Sequence, residues 1–167
     1  MTKTPLVSIA VPNEKDLDIF RPAIEMFSRF DVEYEQVVTS AHRSPDEMAE
    51  YAKGLKSRGV KVVIAAARGA AHLPGMIAAY TTLPVIAVPL KSPFLDGTDS
   101  IYSMLHMPSG VPLAVMGVDA VENASILAIQ ILGLFREEAA KAIDSIKESL
   151  AQEVRRQSEN IRKNYGG

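Results

Sequence analysis

The sequence predicts an α/β fold in which a parallel sheet is wound on both faces by helices. Three observations carry that expectation. Short apolar, β-rich runs alternate with segments whose apolar residues recur at helical spacing. Short loops join them, which makes the helices crossovers between parallel strands. The third apolar run is continuous rather than alternating, the pattern of a strand covered on both faces. Right-handed crossovers then make the sheet doubly wound.

The elements follow in order. "PLVSIAV" (5–11) is the first strand, ended by Pro12 and Asn13. Phe20, Ala23, Ile24 and Phe27 recur at helical spacing, and Pro22, tolerated only in a helix's first turn, sets that helix's start near Phe20. "VEYEQVVTS" (32–40) is the second strand. Met48, Tyr51, Ala52 and Leu55 form the inner face of a helix over 46–57, with Pro45, Asp46 and Glu47 at its positive N-terminal end. Gly59 closes it before "VKVVIAAA" (60–67), the third strand. "GAAHLPGMIAAY" is a small-residue loop running into a short helix, and "LPVIAVPL" (83–90) is the fourth strand. "TDSIYSMLHM" (98–107) reads as a helix and "VPLAVMGV" (111–118) as the fifth strand. Asp119 and Glu122 stand at capping-box spacing at the head of a helix over 120–133.

Residues 1–135 are therefore expected to form the main body and 136–167 a helical arm of the same domain. Between Arg136 and Lys163 the tail carries seven basic and six acidic residues, and Ala139, Ile143, Ile146, Leu150 and Val154 form one apolar stripe. A helix of that size is about 40 Å long at ~1.5 Å per residue. A stripe so long needs a partner surface, which predicts an oligomer.

Composition narrows the function. A chain of 167 residues, 47% of them hydrophobic, suits one domain with a sizeable core. Eighteen basic against twenty acidic residues leave a formal charge of −2, which removes the simple electrostatic case for nucleic acid or an anionic membrane. Any bound anion must be held by a local site. Cysteine is absent, which excludes disulfides, thiolate nucleophiles and cysteine metal sites and fits a cytosolic protein. The apolar runs are too short for a signal peptide's core or a membrane span. P-loop, GxGxxG, GxSxG and HExxH motifs are also absent, so neither a metal nor a cofactor is expected.

In a doubly wound sheet ligands sit beyond the carboxyl ends of the strands. The loops there are 12–16, 40–45, 67–75 and 91–97, and they carry His42, Arg43 and His72. Histidine gives and takes protons near neutral pH, and His42 stands between a buried strand and a helix start. Arg43 can grip a phosphate or carboxylate with a forked pair of donors, aided by the amides opening the next helix. A salt bridge to Asp46 or Glu47 is the competing use of that guanidinium. His72 lies among small residues, with Gly69 and Gly75 allowing close backbone approach and Pro74 stiffening the turn, as in a packed ligand wall.

"SAHRSP" (40–45), "GAAHLPGM" (69–76), "LDGTDS" (95–100) and "MPSGVP" (107–112) together resemble the class I N5-carboxyaminoimidazole ribonucleotide mutases, the aminoimidazole ribonucleotide carboxylase family of purine synthesis. The resemblance covers nearly the whole chain, with the motifs in the family's order. It implies a flavodoxin-like three-layer αβα fold with a long C-terminal helix, and an octamer whose C-terminal helices embrace neighbouring subunits. It implies a cofactor-free shift of a carboxyl group from the exocyclic nitrogen to C4 of a nucleotide-like aminoimidazole substrate, with CO₂ released and recaptured in the pocket. His42 would be the proton shuttle, with His72 beside it in the catalytic set. Ser40 and Arg43 would bind the phosphate, and Ala41, Gly69, Ala70, Ala71 and Leu73 would line the pocket. A free CO₂ intermediate calls for a closed, dry, small-walled pocket.

Three stretches depart from the family's pattern. The family's Gly-Ser-x-Ser-Asp loop, which holds phosphate and ribose, is here "PNEKD" (12–16). Only Asp16 survives, with Asn13 offering a donor in place of a serine. Arg68 replaces a glycine, and Asp96 an asparagine. Arg68 is expected either to pair with Glu14 or Asp96 or to replace the phosphate cradle. Since the two histidine motifs are intact, a paralogue acting on a related heterocycle is the first alternative, and a non-catalytic scaffold the second.

Overall fold

The computed structural model describes residues 4–93 and 95–165, so Phe94 of the 91–97 loop lies outside the described residues. The elements in chain order are β1 (Val7–Val11), a 3₁₀ segment (Glu14–Phe20), α1 (Arg21–Arg29), β2 (Tyr34–Val38), α2 (Pro45–Gly54), β3 (Val62–Arg68) and α3 (His72–Tyr80). After them come β4 (Val85–Leu90), α4 (Thr98–Leu105), β5 (Ala114–Val115), α5 (Val121–Gly133) and α6 (Glu137–Tyr165). The strands form one sheet in the order β2-β1-β3-β4-β5, and every pairing is parallel. This is the flavodoxin-like doubly wound order. The winding reverses between β1 and β3, and the crevice of the fold opens there, beyond their carboxyl ends.

Residue type explains most of this pattern. β1 and β4 are buried along their whole length, as is β3 up to its final residue, matching runs dominated by Val, Ile and Ala in which Ser8 is the one polar residue before Arg68. Side chains alternate between the faces. Ala10, Val63, Ala65 and Val85 pack on one face against Met48 and Ala52 of α2, Leu55 directly after it, and Leu73 and Ile77 of α3. Pro22 stands in the first turn of α1, as its missing N–H requires. The stretch before it, after Asn13, winds as a 3₁₀ segment and buries Asp16 and Phe20.

Two elements differ from expectation. The fifth strand is confined to Ala114–Val115, paired with Ile86 and Ala87 of β4. Pro112 lacks a backbone donor and Gly117 packs nothing against the sheet face, so the ladder stays short at this edge. The capping box at Asp119 does not form. Asp119 sits at φ 55°, its Oδ1 accepts from the Lys91 N–H at 3.1 Å, and α5 begins only at Val121.

A partly buried polar cluster links β1, β2 and α2. Ser8 Oγ donates to Glu35 Oε1 at 2.7 Å, which makes the Tyr51 hydroxyl the donor in its hydrogen bond with Ser8. Arg58 bonds Glu35 at 3.0 Å and lies over the Tyr51 ring. Burial pushes the Tyr51 hydroxyl up to about 12 from 10.0, with Glu35 adding to the rise and Ser8 and Arg58 opposing it. The raised pKa means the folded state holds this proton longer than the unfolded chain. The associated stability is fully present below pH 10 and is lost as pH rises towards 12. Thermal unfolding followed across pH 9–12 should show that decline, and Tyr51→Phe should flatten it.

The chain divides into two compact units, residues 1–128 and 129–167. The sheet belongs to the first. In the second, the α5–α6 turn is tight, since a Cβ at Gly133 would lie 3.2 Å from the Ala140 backbone. α6 has 29 residues, about 44 Å at ~1.5 Å per residue. Ala139, Ala142 and Ile143 are buried, whereas Leu150, Val154 and Ile161 are 55%, 62% and 60% exposed. Among the described residues no helix is long and apolar enough to cross a membrane.

Candidate active site

The parallel register brings three strand ends together. Ala10 pairs with Ala65 and Val11 with Val38, so Pro12 and Asn13, Ser40 and its successors, and Ala67 and Arg68 emerge at one edge. They enclose a cleft of about 280 Å³ lined by Pro12, Asn13, Ser40, Ala41, His42, Ala67, Arg68, Ala70, His72 and Leu73. This is the crevice at the point where the winding reverses.

His42 and His72 meet in that cleft. Their ring centroids are 4.4 Å apart with the planes at 86°, an edge-to-face contact. His42 comes from the turn before α2 and His72 from the first residue of α3, so the juxtaposition is a tertiary product. Both rings are exposed in the single chain. The closed, dry pocket expected from the sequence is therefore not formed by one chain: the small side chains of Ala41, Ala67 and Ala70 share its wall with Asn13, Ser40 and Arg68, and one side is open.

Arg43 is a clamp. Its backbone N–H and Nε donate to Ser40 Oγ at 3.2 and 3.4 Å. Its Nη2 donates to the Pro12 carbonyl and, at 3.2 Å, to Asn13 Oδ1. The guanidinium thus ties the loop after β2 to the loop after β1, rather than pairing with Asp46 or Glu47.

Arg68 continues the chain of contacts. Its Nε donates to the Lys91 carbonyl at 2.7 Å and its Nη1 to Asp16 Oδ1 at 3.0 Å. The expected partners were Glu14 or Asp96. Asp16 takes that role because the 3₁₀ segment turns it inward, leaving its side chain 6% exposed, while Asp96 pairs with Lys91 at 2.9 Å. The other Asp16 oxygen accepts from Asn13 Nδ2 at 3.3 Å. One buried carboxylate therefore holds Arg68 directly and orients Asn13, whose own oxygen faces Arg43.

The 69–71 loop is fixed from behind. Gly69 adopts φ +72°, a conformation L side chains rarely take. Its N–H donates to Ser100 Oγ at 2.7 Å, and the Ala71 N–H to Ser103 Oγ at 2.8 Å. Ser100 also donates to the Leu90 carbonyl at 2.9 Å. Sequence reasoning missed these two serines, although their i, i+3 spacing in "TDSIYSML" places them on one face of α4. It also missed the carbonyls of Pro12 and Lys91, for which side-chain type gives no signal.

Of the residues singled out from the sequence, Asn13, Ser40, Ala41, His42, Arg68, Ala70, His72 and Leu73 line the cleft. Asp16, Arg43, Gly69 and Ala71 do not line it. They support it through the hydrogen bonds above. Among the described residues no group of three or more His, Asp or Glu side chains converges to hold a metal ion.

Residues 6–153 match the family model for AIR carboxylase. The N5-carboxyaminoimidazole ribonucleotide mutase of Bacillus subtilis is 46% identical over 159 residues, covering 94% of this chain and 98% of that protein. The mutase of the same name from Thermotoga maritima is 44% identical over 157 residues, covering 94% and 92%. The crystal structure of Treponema denticola PurE matches with a TM-score of 0.86 at 28% identity, covering 95% of this chain and 99% of that one. With its histidine pair in the crevice of a flavodoxin-like sheet and a match along most of its length, the chain belongs to the AIR carboxylase family.

Proposed function

We propose that the protein converts N5-carboxyaminoimidazole ribonucleotide to its 4-carboxy isomer in purine biosynthesis, without a cofactor and in the cytosol. Family membership supports the reaction, and the observation that carries the assignment of chemistry is the His42–His72 contact inside the cleft. The nitrogen–carboxyl bond breaks to release CO₂, and the electron pair left on nitrogen takes a proton from His42. Ring carbon C4 then attacks CO₂, forming the new carbon–carbon bond, and the C4 proton returns to His42. A single group that both gives and accepts a proton suits an imidazole. His72 holds the His42 ring edge-on, Ala41, Ala67, Ala70 and Leu73 form the small wall beside the CO₂, and Ser40, held in place by Arg43 from outside the cleft, faces the phosphate.

The assembly is a homo-oligomer, read as an octamer. Exposed Leu150, Val154 and Ile161 on α6 support it, because an amphipathic helix of this length leaves its apolar side in water unless another copy covers it. Sedimentation should give the octamer; a monomer would show that α6 embraces no neighbouring copy.

Incubation with N5-carboxyaminoimidazole ribonucleotide, followed by ring-carboxylate absorbance, tests the reaction. Turnover is the expected result. A related heterocycle is the second reading, favoured by one observation: Asp16 is buried and engaged by Arg68 and Asn13. His42-dependent turnover of another azole carboxylate alone would select it, and no turnover of any azole would select a scaffold.

A further inference from the structure

α3 starts without a local anchor. Its N-cap is Ala71, whose methyl group accepts nothing from the first amides, and no side-chain cap forms. The first helical residue is His72, which carries the ring that meets His42. The peptide unit joining Ala70 to Ala71 holds that start instead. Its carbonyl oxygen accepts from the His72 N–H at 2.9 Å, and its N–H donates to Ser103 Oγ at 2.8 Å. One peptide plane is therefore fixed at both ends, and His72 hangs from it. The Ala71 carbonyl then accepts from the Gly75 N–H at 3.1 Å, the first bond of the helix. The two serines on this face of α4 are not equivalent. Ser100 is buried and spends both its lone pair and its proton, on the Gly69 N–H and the Leu90 carbonyl. Ser103 is half-buried and holds the residue directly before the histidine.

We infer that Ser103 is a positioning residue for the histidine pair, acting on proton transfer through the Ala70–Ala71 peptide and His72 without lining the cleft itself. This deepens the proposed function and rests on its use of His42 as the proton shuttle. Without the hydroxyl, the N–H of Ala71, a residue only 7% exposed, loses its acceptor, and a buried amide without a partner drives its peptide to turn. The Ala70 carbonyl turns with it and pulls on the His72 N–H. An edge-to-face ring contact depends on angle as well as distance, so a tilted His72 no longer seats His42 in the same place. Proton transfer tolerates little of this, since a misplacement of about 1 Å costs up to ~10²-fold. Asn13 and Ser40 stand on the loops after β1 and β2, which Ser103 does not touch, so the other side of the cleft keeps its shape.

Kinetics and ring spectroscopy of the full-length protein test this together. Ser103→Ala should lower kcat for the carboxylated ribonucleotide by about 10- to 100-fold, with KM within about threefold of wild type. Ser103→Thr keeps the hydroxyl and should restore kcat to within about threefold. The second readout needs no substrate. Each imidazole shifts the nuclear resonance of the Cε1–H group on its neighbour, and that mutual shift between His42 and His72 should collapse in Ser103→Ala and persist in Ser103→Thr. Unchanged kcat or unchanged ring resonances in Ser103→Ala, a loss carried by KM, or equal losses in the Ala and Thr variants would overturn the inference. Failure of Ser103→Ala to fold would overturn it too, since the hydroxyl would then serve the fold rather than the histidines. A wild-type protein that does not turn over the ribonucleotide, yet loses the ring shift in Ser103→Ala, would sink the reaction reading and leave the bracing of the pair standing.

Discussion

Replacing His42 by Asn should cut turnover of the carboxylated ribonucleotide by a factor of about 10² to 10⁴, the usual worth of a positioned acid/base. Folding stability should stay within about 0.5 kcal/mol, because the side chain is exposed and substitutions at such positions cost little. The two readouts separate chemistry from structure. Asparagine keeps a polar planar group of similar size beside His72 but transfers no proton near neutral pH. The loss should therefore fall on kcat more than on KM. Activity within a few-fold of wild type, measured by ring-carboxylate absorbance, would show the proton shuttle to be misassigned.

Arg68→Ala should destabilise the fold by about 2–3 kcal/mol, and Asp16→Ala by only about 1 kcal/mol. The asymmetry follows from burial. Removing the guanidinium leaves a carboxylate in a residue that is 4% exposed, with only the Asn13 amide, at 3.3 Å, to meet it among the described residues. A buried charge stripped of its partner costs about 3–5 kcal/mol, reduced here because a third of the Arg68 side chain (34%) lies in solvent and screens the pair. Removing the carboxylate instead leaves an arginine that can turn towards water. The double variant should be more stable than Arg68→Ala alone, a coupling that a mutant cycle in urea reads directly. Equal costs for the two single variants would contradict the burial asymmetry.

Much of the fold was legible because β3 and β4 are apolar runs, β1 is one but for Ser8, and the helices between them have clear inner faces. Pro22 marked the start of α1 correctly, since a missing N–H has one comfortable place in a helix. The fifth strand was overdrawn because "VPLAVMGV" has strand-like residues, whereas pairing at a sheet edge is decided by neighbours and by Pro112. In the site, His42 and His72 were legible as residues on loops at the right end of the sheet. Their ring contact was not, because it depends on how two turns 30 residues apart pack. The partner of Arg68 was misjudged for a similar reason. Glu14 and Asp96 are no poorer partners by charge, but the 3₁₀ segment turns Asp16 inward. The openness of the cleft was not legible either, since small side chains predict the width of a wall and not whether anything covers it.

The tie that Arg43 makes between the loops after β1 and β2 has a consequence for binding kinetics. Cross-braced loops do not have to freeze when a guest arrives, so little chain entropy is surrendered on association. Uptake should then be limited by encounter rather than by gate closure, and differences in affinity among related guests should appear chiefly in how quickly they depart.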